Sequence, residues 1–150
     1  CSCSPQKVER YLSRVSGPLL DRIDLHVEVP PVEFSQLTSG QKGESSAAIR
    51  ARVNKARKIQ LERYRNTGIF CNSGLTPSGI RSACPVTDRG MQLLKNAFER
   101  LGLSARGYDR ILKVARTIAD LDGEEVIDTQ HISEAVQFRT LDRKYWKKGR

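Results

Sequence analysis

Two arginines, one cysteine pair and one basic run are the residues whose types and spacing suit chemistry. Arg22 lies in GPLLDRID, where a turn after Gly17 and Pro18 places it directly before an alternating apolar run. On residue type alone, it suits a surface ion pair with Asp21 or Asp24. Arg106 falls in the first turn of SARGYDRILKVARTIADL, Ser104 to Leu121. A helix N-terminus presents free N–H groups and the positive end of the dipole, so an arginine there adds mobile positive charge against an anion; the alternative is an ordinary surface arginine. Cys1 and Cys3 offer two thiolates to a tetrahedral Zn2+. A closed structural site needs four ligands, so they are half a zinc site awaiting a second pair upstream, or simply terminal thiols. His26 has no second ligand at a useful spacing, and Cys71 and Cys84 read as small buried hydrophobes.

From Ser45 to about Asn66, Arg50, Arg52, Lys55, Arg57, Lys58, Arg63 and Arg65 face only Glu62 in opposition. Such density attracts a phosphate backbone in a salt-sensitive way; its alternative is a solvated helix face, because Tyr64 is the lone aromatic for stacking. A second cluster, Arg143, Lys144, Lys147, Lys148 and Arg150 around Tyr145 and Trp146, forms a basic tail.

The elements that must position these groups are mostly helical. Tyr108, Ile111, Leu112, Ala115, Ile118 and Ala119 recur at i, i+3, i+4, i+7 spacing, an amphipathic helix capped by Ser104 and stopped at Gly123. Arg106, Arg110, Lys113 and Arg116 lie off that stripe and predict a cationic outer side. Ser4 and Pro5 start a first helix with Val8, Tyr11, Leu12 and Val15 on one side. Ile23, Leu25, Val27 and Val29 then alternate with Asp24, His26 and Glu28 up to Pro30, the pattern of a half-buried strand. Phe34 to Glu44 is a polar connector. Ser45 or Ser46, Thr76 with Pro77, Thr87 and Asp128 each mark a further helix start; Met91, Leu94, Ala97, Phe98 and Leu101 of one, and Ile132, Ala135 and Val136 of the last, are the inward positions.

The chain has 150 residues, 38% apolar and 29% charged, with a net charge of +9 that favours a polyanionic partner. No apolar run approaches the roughly 20 residues of a membrane span, and four cysteines, two in a C-x-C at the start and two far apart, make no dense disulfide framework and point to a reducing, cytoplasmic setting. It begins CSCSPQ without Met, as expected of a piece of a longer protein. It has no GxxxxGK[ST] phosphate loop and no apolar strand ending in an acidic pair, so it is not expected to hydrolyse ATP alone.

SRVSGPLLDRIDLHVEVPPV (Ser13 to Val32) closely resembles the end of the ATPase core in magnesium-chelatase-like AAA+ proteins of the YifB/ComM competence-protein family. GESSAAIRARV, ERLGLSARGYDRILKVARTIADL and HISEAVQFR extend the resemblance over nearly the whole chain. The resemblance implies a mainly α fold: a helical AAA+ lid domain over 44–140, preceded by a helix-plus-strand remnant of the α/β ATPase core over 1–32, a connector over 33–43 and a basic tail over 141–150. It casts Arg22 as an arginine finger acting in trans and Arg106 as the sensor-2 arginine that contacts nucleotide phosphate. It further implies ATP and Mg2+ in the full-length protein, a homo-oligomeric ring, hexameric in this family, and a DNA motor of the kind implicated in branch migration and DNA uptake. Magnesium-chelatase-type metal insertion into a tetrapyrrole and a non-catalytic nucleic-acid-binding module are the alternatives.

Overall fold

A computed structural model describes residues 2–38, 40 and 43–139. Its described elements are α1 (Pro5–Leu12), α2 (Gly17–Leu20), α3 (Phe34–Thr38), α4 (Ser46–Arg63), a 3-10 turn (Asn72–Gly74), α5 (Pro77–Ala83), α6 (Asp88–Leu101), α7 (Ala105–Asp122) and α8 (Thr129–Gln137). The fold is mainly α, a helical lid-type bundle around α7, as the resemblance implies. The basic tail over 141–150 and Cys1 lie outside the described residues.

The apolar stripe of α7 becomes the centre of the core. Ile111, Leu112, Ala115, Ile118 and Ala119 are buried, and Leu94 from α6, Ile80 from α5, Ile132 and Ala135 from α8 and Ile127 close over them. Each fully buried leucine or isoleucine side chain stabilises by roughly 1.5–3 kcal/mol, and the alanines by less. Local chemistry starts and stops the helices where the sequence predicts. The Ser104 hydroxyl accepts from the Gly107 N–H at 3.0 Å, Thr87 from Gly90 at 3.1 Å, Thr76 from Gly79 at 3.2 Å and Ser45 from Ala48 at 3.3 Å. Gly102 and Gly123 end α6 and α7 in the left-handed conformation, at φ 54° and 83°. A short parallel bridge between Val86 and Ile127, with the Thr87 hydroxyl donating to Asp128 at 2.7 Å, ties the start of α6 to the start of α8.

Three expectations are corrected. The run 23–29 forms no strand: no neighbouring strand exists among the described residues to complete a ladder, and Leu25, Val27 and Val29 are 49%, 65% and 84% exposed. Met91 and Phe98, expected inward, stay partly exposed because α6 is covered mainly through Leu94. Arg116 does not belong to an outer cationic side, being fully buried.

Arg116 is buried because α7 also carries Asp120 one turn later. The Asp120 carboxylate accepts from Arg116 Nε at 3.1 Å, from both terminal nitrogens of Arg63 at 2.5 and 3.0 Å and from Asn72 Nδ2 at 2.8 Å. Arg116 also donates to the carbonyls of Glu124 and Glu125, and the Tyr64 hydroxyl donates to Asn72 Oδ1 at 2.6 Å. One carboxylate thus joins the end of α4, the 3-10 turn, α7 and the turn beyond it. Burial works to raise the Asp120 pKa, but the bonds from Arg63 and Asn72 and the charge of Arg116 outweigh it and hold the carboxyl below its ordinary value of 3.8. Burial depresses the Arg116 pKa against the pull of Asp120, while the Asp120 bond raises that of Arg63.

Replacing Asp120 with Asn leaves a buried guanidinium without its counter-charge and is expected to cost about 3–5 kcal/mol, read as a lower urea midpoint. Because the folded pKa is depressed, the Asp120 contribution is fully present above 3.8 and is lost as pH falls through the folded value. The stability gap between wild type and Asp120→Asn is therefore expected to narrow only below pH 3.8 in urea titrations. A gap that stays constant across that range contradicts the assignment.

Candidate functional site

Arg22 sits one residue beyond the cap of α2. Ser16 starts that helix by accepting from the Leu19 N–H at 3.3 Å, Pro18 pre-sets its backbone, and Asp21 closes it. The amides of Arg22 and Ile23 then bond back to the carbonyls of Leu19 and Leu20, at 3.0 and 3.1 Å. Leu20 is buried, and Arg22 is exposed. The two carboxylates that local sequence offers to Arg22 are engaged elsewhere: Asp24 pairs with Arg110, and Asp21 lies 3.6 Å from Arg139. Among the described residues, no ion pair with Arg22 is formed.

Arg106 is the second residue of α7 and is also exposed. Ser104 takes up the Gly107 N–H, so the first turn is ordered beneath it. Gly107 is buried against Leu103, 3.6 Å from where a Cβ would stand, which ties that turn to the α6–α7 corner. The Arg110–Asp24 pair brings the Arg22 turn against the second turn of α7, one turn beyond Arg106. The two candidate arginines therefore flank a single contact, although 84 positions separate them in the chain.

The basic helix is α4. Residues 43–55 are exposed throughout, and burial begins only at Ala56 and Gln60, where the helix meets α7. At about 100° per residue, Arg50 and Arg57 fall close together on its circumference, Lys58 lies roughly 80° from Arg50, and Lys55 and Arg52 lie on the far side. Arg52 is committed to Glu44 at 2.7 Å, and Arg57 donates to Gln60 at 3.1 Å. The cations thus surround the free half of α4 and do not form one stripe. Arg63, which sequence places in the same basic run, is a structural group held by Asp120.

The described residues contain no group of three or more His, Cys, Asp or Glu able to hold a metal ion. Cys3 is exposed without ligand partners, so the Zn2+ expectation gains no support; its other half, Cys1, lies outside the described residues. Of the remaining thiols, Cys84 is buried as expected, whereas Cys71 is only half-buried, 3.0 Å from the Ser73 hydroxyl. That hydroxyl stabilises a thiolate and lowers the Cys71 pKa, while burial pushes Cys84 up to about 11.

Sequence reasoning missed Arg139, which is 2% exposed yet reaches the carbonyls of Leu20 and Ile23. The signal available was a cation directly after the last helix, ahead of the basic tail. Residue type alone offered Asp21 or Asp24 to Arg22, and neither forms that pair, because local spacing cannot see that Asp24 has a partner 86 residues away.

A mainly helical bundle centred on α7, preceded by the docked turn after α2, is the class of architecture that the helical C-terminal part of magnesium-chelatase-type proteins has. Comparison agrees: the family described as magnesium chelatase, subunit ChlI C-terminal, matches residues 43–139, and the chain belongs to it. The family of magnesium chelatase, subunit ChlI, matches residues 1–37. The chain is 45% identical over 141 residues to the competence protein ComM of Haemophilus influenzae, covering 93% of this chain and 27% of that one. It is 42% identical over 142 residues to YifB of Escherichia coli, covering 94% and 27%, and 34% identical over 139 residues to a Mycobacterium tuberculosis protein, Rv2897c, covering 93% and 27%. The chain thus spans about a quarter of the length of the curated relatives it matches.

With a pKa of about 11, Cys84 is roughly one part in a thousand thiolate at pH 8. An aromatic disulfide reagent is therefore expected to modify Cys71 at least about tenfold faster than Cys84, whose labelling waits on unfolding. Mass spectrometry of timed digests gives the order of labelling; equal rates contradict the burial of Cys84.

Proposed function

We propose that this chain is the C-terminal part of a ring-forming AAA+ ATPase acting on DNA, in which Arg22 is the arginine finger and Arg106 the sensor-2 arginine. In this reading, 1–32 closes the ATPase core, 33–43 is a connector, 44–140 is the helical lid and 141–150 is a basic tail. The single observation that carries it is the state of Arg22: exposed, with both neighbouring carboxylates engaged by other arginines, on a turn docked beside the helix that begins with Arg106.

The chemistry follows from what a guanidinium does. Negative charge on the transferring phosphoryl group spreads over its equatorial oxygens, and a planar fork of N–H donors neutralises it without proton transfer. A finger held on a neighbour makes hydrolysis depend on assembly, so the ring, a hexamer by resemblance, is part of the site. Arg106 contributes donors toward the nucleotide phosphates and ties their occupancy to α7. In this reading ATP and Mg2+, which the family suggests for the full-length protein, are bound outside the described residues, and this chain contributes the arginine donors. No helix among the described residues is long and apolar enough to cross a membrane.

DNA as the substrate is supported by the net charge of +9 and by the cations of α4: Arg50, Lys55 and Lys58 are exposed toward backbone phosphates, and Arg52 and Arg57 can join them by exchanging Glu44 and Gln60 for phosphate. The name of the Haemophilus relative, a competence protein, agrees with that substrate. The family description, magnesium chelatase, supports a second reading, metal insertion into a tetrapyrrole, which predicts need of a partner subunit and indifference to DNA.

In the full-length protein, Arg22→Ala is expected to lower ATP turnover by about 10³-fold or more, and Arg106→Ala to lower it strongly, each leaving DNA affinity largely intact. Wild-type turnover in either variant removes that assignment. ATPase rates with and without single-stranded and branched DNA at two salt concentrations decide the substrate. Stimulation that fades with salt supports the motor, and turnover indifferent to DNA supports the chelatase-type reading. Under the DNA reading, converting Arg50, Lys55 and Arg57 to Gln is expected to reduce the slope of log affinity against log salt by about one for each phosphate left without its cation.

A further inference from the structure

Arg139 follows the end of α8 and is almost fully buried, yet its guanidinium does not serve the core. Its Nη1 donates to the Ile23 carbonyl and lies 3.4 Å from that of Leu20, and its Nη2 is 3.6 Å from the Asp21 carboxylate. These acceptors lie at the end of α2 and in the turn just beyond it, where carbonyl oxygens and the Asp21 carboxylate together favour a cation. Two further bonds hold the same turn. Arg110 of α7 pairs with Asp24, and the His26 amide donates to the Phe138 carbonyl at 2.9 Å. Arg22 lies between two residues that Arg139 grips, so its backbone is fixed while its side chain projects free.

Resting on the reading of Arg22 as the finger, we propose that Arg139, with the Arg110–Asp24 pair, is a positioning residue that locks the finger turn to α7 and α8. The physical content is preorganisation. A guanidinium meets a phosphoryl group productively only within a narrow range of positions, and a displacement of about 1 Å can cost on the order of 10²-fold in rate. The clamp also makes a mechanical connection. Arg110 is one turn along α7 from Arg106, so a shift of α7 that follows phosphate binding at Arg106 carries the Asp24 end of the finger turn with it. Each lid thereby couples the nucleotide met by its own α7 to the neighbouring site that its Arg22 enters.

The test uses the full-length protein with three variants: Arg22→Ala, Arg139→Gln and Asp24→Asn. The proposal expects Arg139→Gln to lower kcat by roughly 10²-fold with KM for ATP nearly unchanged. It also expects faster hydrogen exchange at the amides of Arg22, Ile23 and His26, by at least about tenfold, with α7 amides unaffected. Asp24→Asn, at a half-exposed position, keeps shape and hydrogen bonding while removing the charge, and is expected to lower kcat in the same direction if Arg139→Gln fails to fold. Faster exchange in the turn at wild-type kcat, with Arg22→Ala inactive, overturns the positioning role and leaves the finger standing. Unchanged exchange in that turn overturns the clamp itself. Wild-type turnover in Arg22→Ala overturns the finger, and with it the role proposed for Arg139.

Discussion

The bundle depends on one buried carboxylate. Asp120 has no solvent contact, and four side-chain donors from Arg63, Asn72 and Arg116 converge on it. A buried charge is tolerable only when paired and hydrogen-bonded, and meeting that requirement fixes where several elements must be. Arg63 can reach Asp120 only if the end of α4 lies against α7. Asn72 can do so only if the chain after α4 returns through a 3-10 turn. Arg116 completes the arrangement by holding the Glu124 and Glu125 carbonyls, so the turn leading to α8 is set by the same network.

The apolar core around α7 supplies most of the stabilisation without specifying such detail, since aliphatic contacts are non-directional. The polar network is directional, and its direction explains the asymmetry of α4. Its C-terminal half is locked at Ala56, Gln60 and Arg63, while its N-terminal half extends past the bundle with every residue exposed. A helix anchored at one end presents its free cations at a defined place, which suits a polyanion better than a loose basic segment because less chain must be ordered on binding.

Around the turn after α2, arginines again act through carbonyls and carboxylates. Arg139 and Arg110 hold the turn after α2 by charge-assisted bonds and leave Arg22 outside. The arginines of this chain therefore divide by environment: Arg63, Arg116 and Arg139 are fasteners, and Arg22 and Arg106 remain exposed. Composition treats all of them alike. Net charge alone overstates the cationic surface, because part of that charge is spent inside the fold.

Much was legible in the residue order. The starts at Ser45, Thr76, Thr87, Ser104 and Asp128, the stops at Gly102 and Gly123, and the buried stripe of α7 are local events, governed by hydrogen bonds within a few residues and by the 3.6-residue period. The motif around Arg22 and Arg106 was legible too, as a resemblance that family membership supports. The run from Ile23 to Val29 was misread because alternation describes a side-chain pattern, whereas a strand also needs a neighbour for its backbone. Only tertiary structure could assign Asp24 to Arg110, bury Arg116 behind Asp120 and bring Arg139 to the turn after α2. Those bonds join residues far apart in sequence, and whether an arginine is a fastener or a free group depends on which distant carboxylate or carbonyl the fold delivers to it.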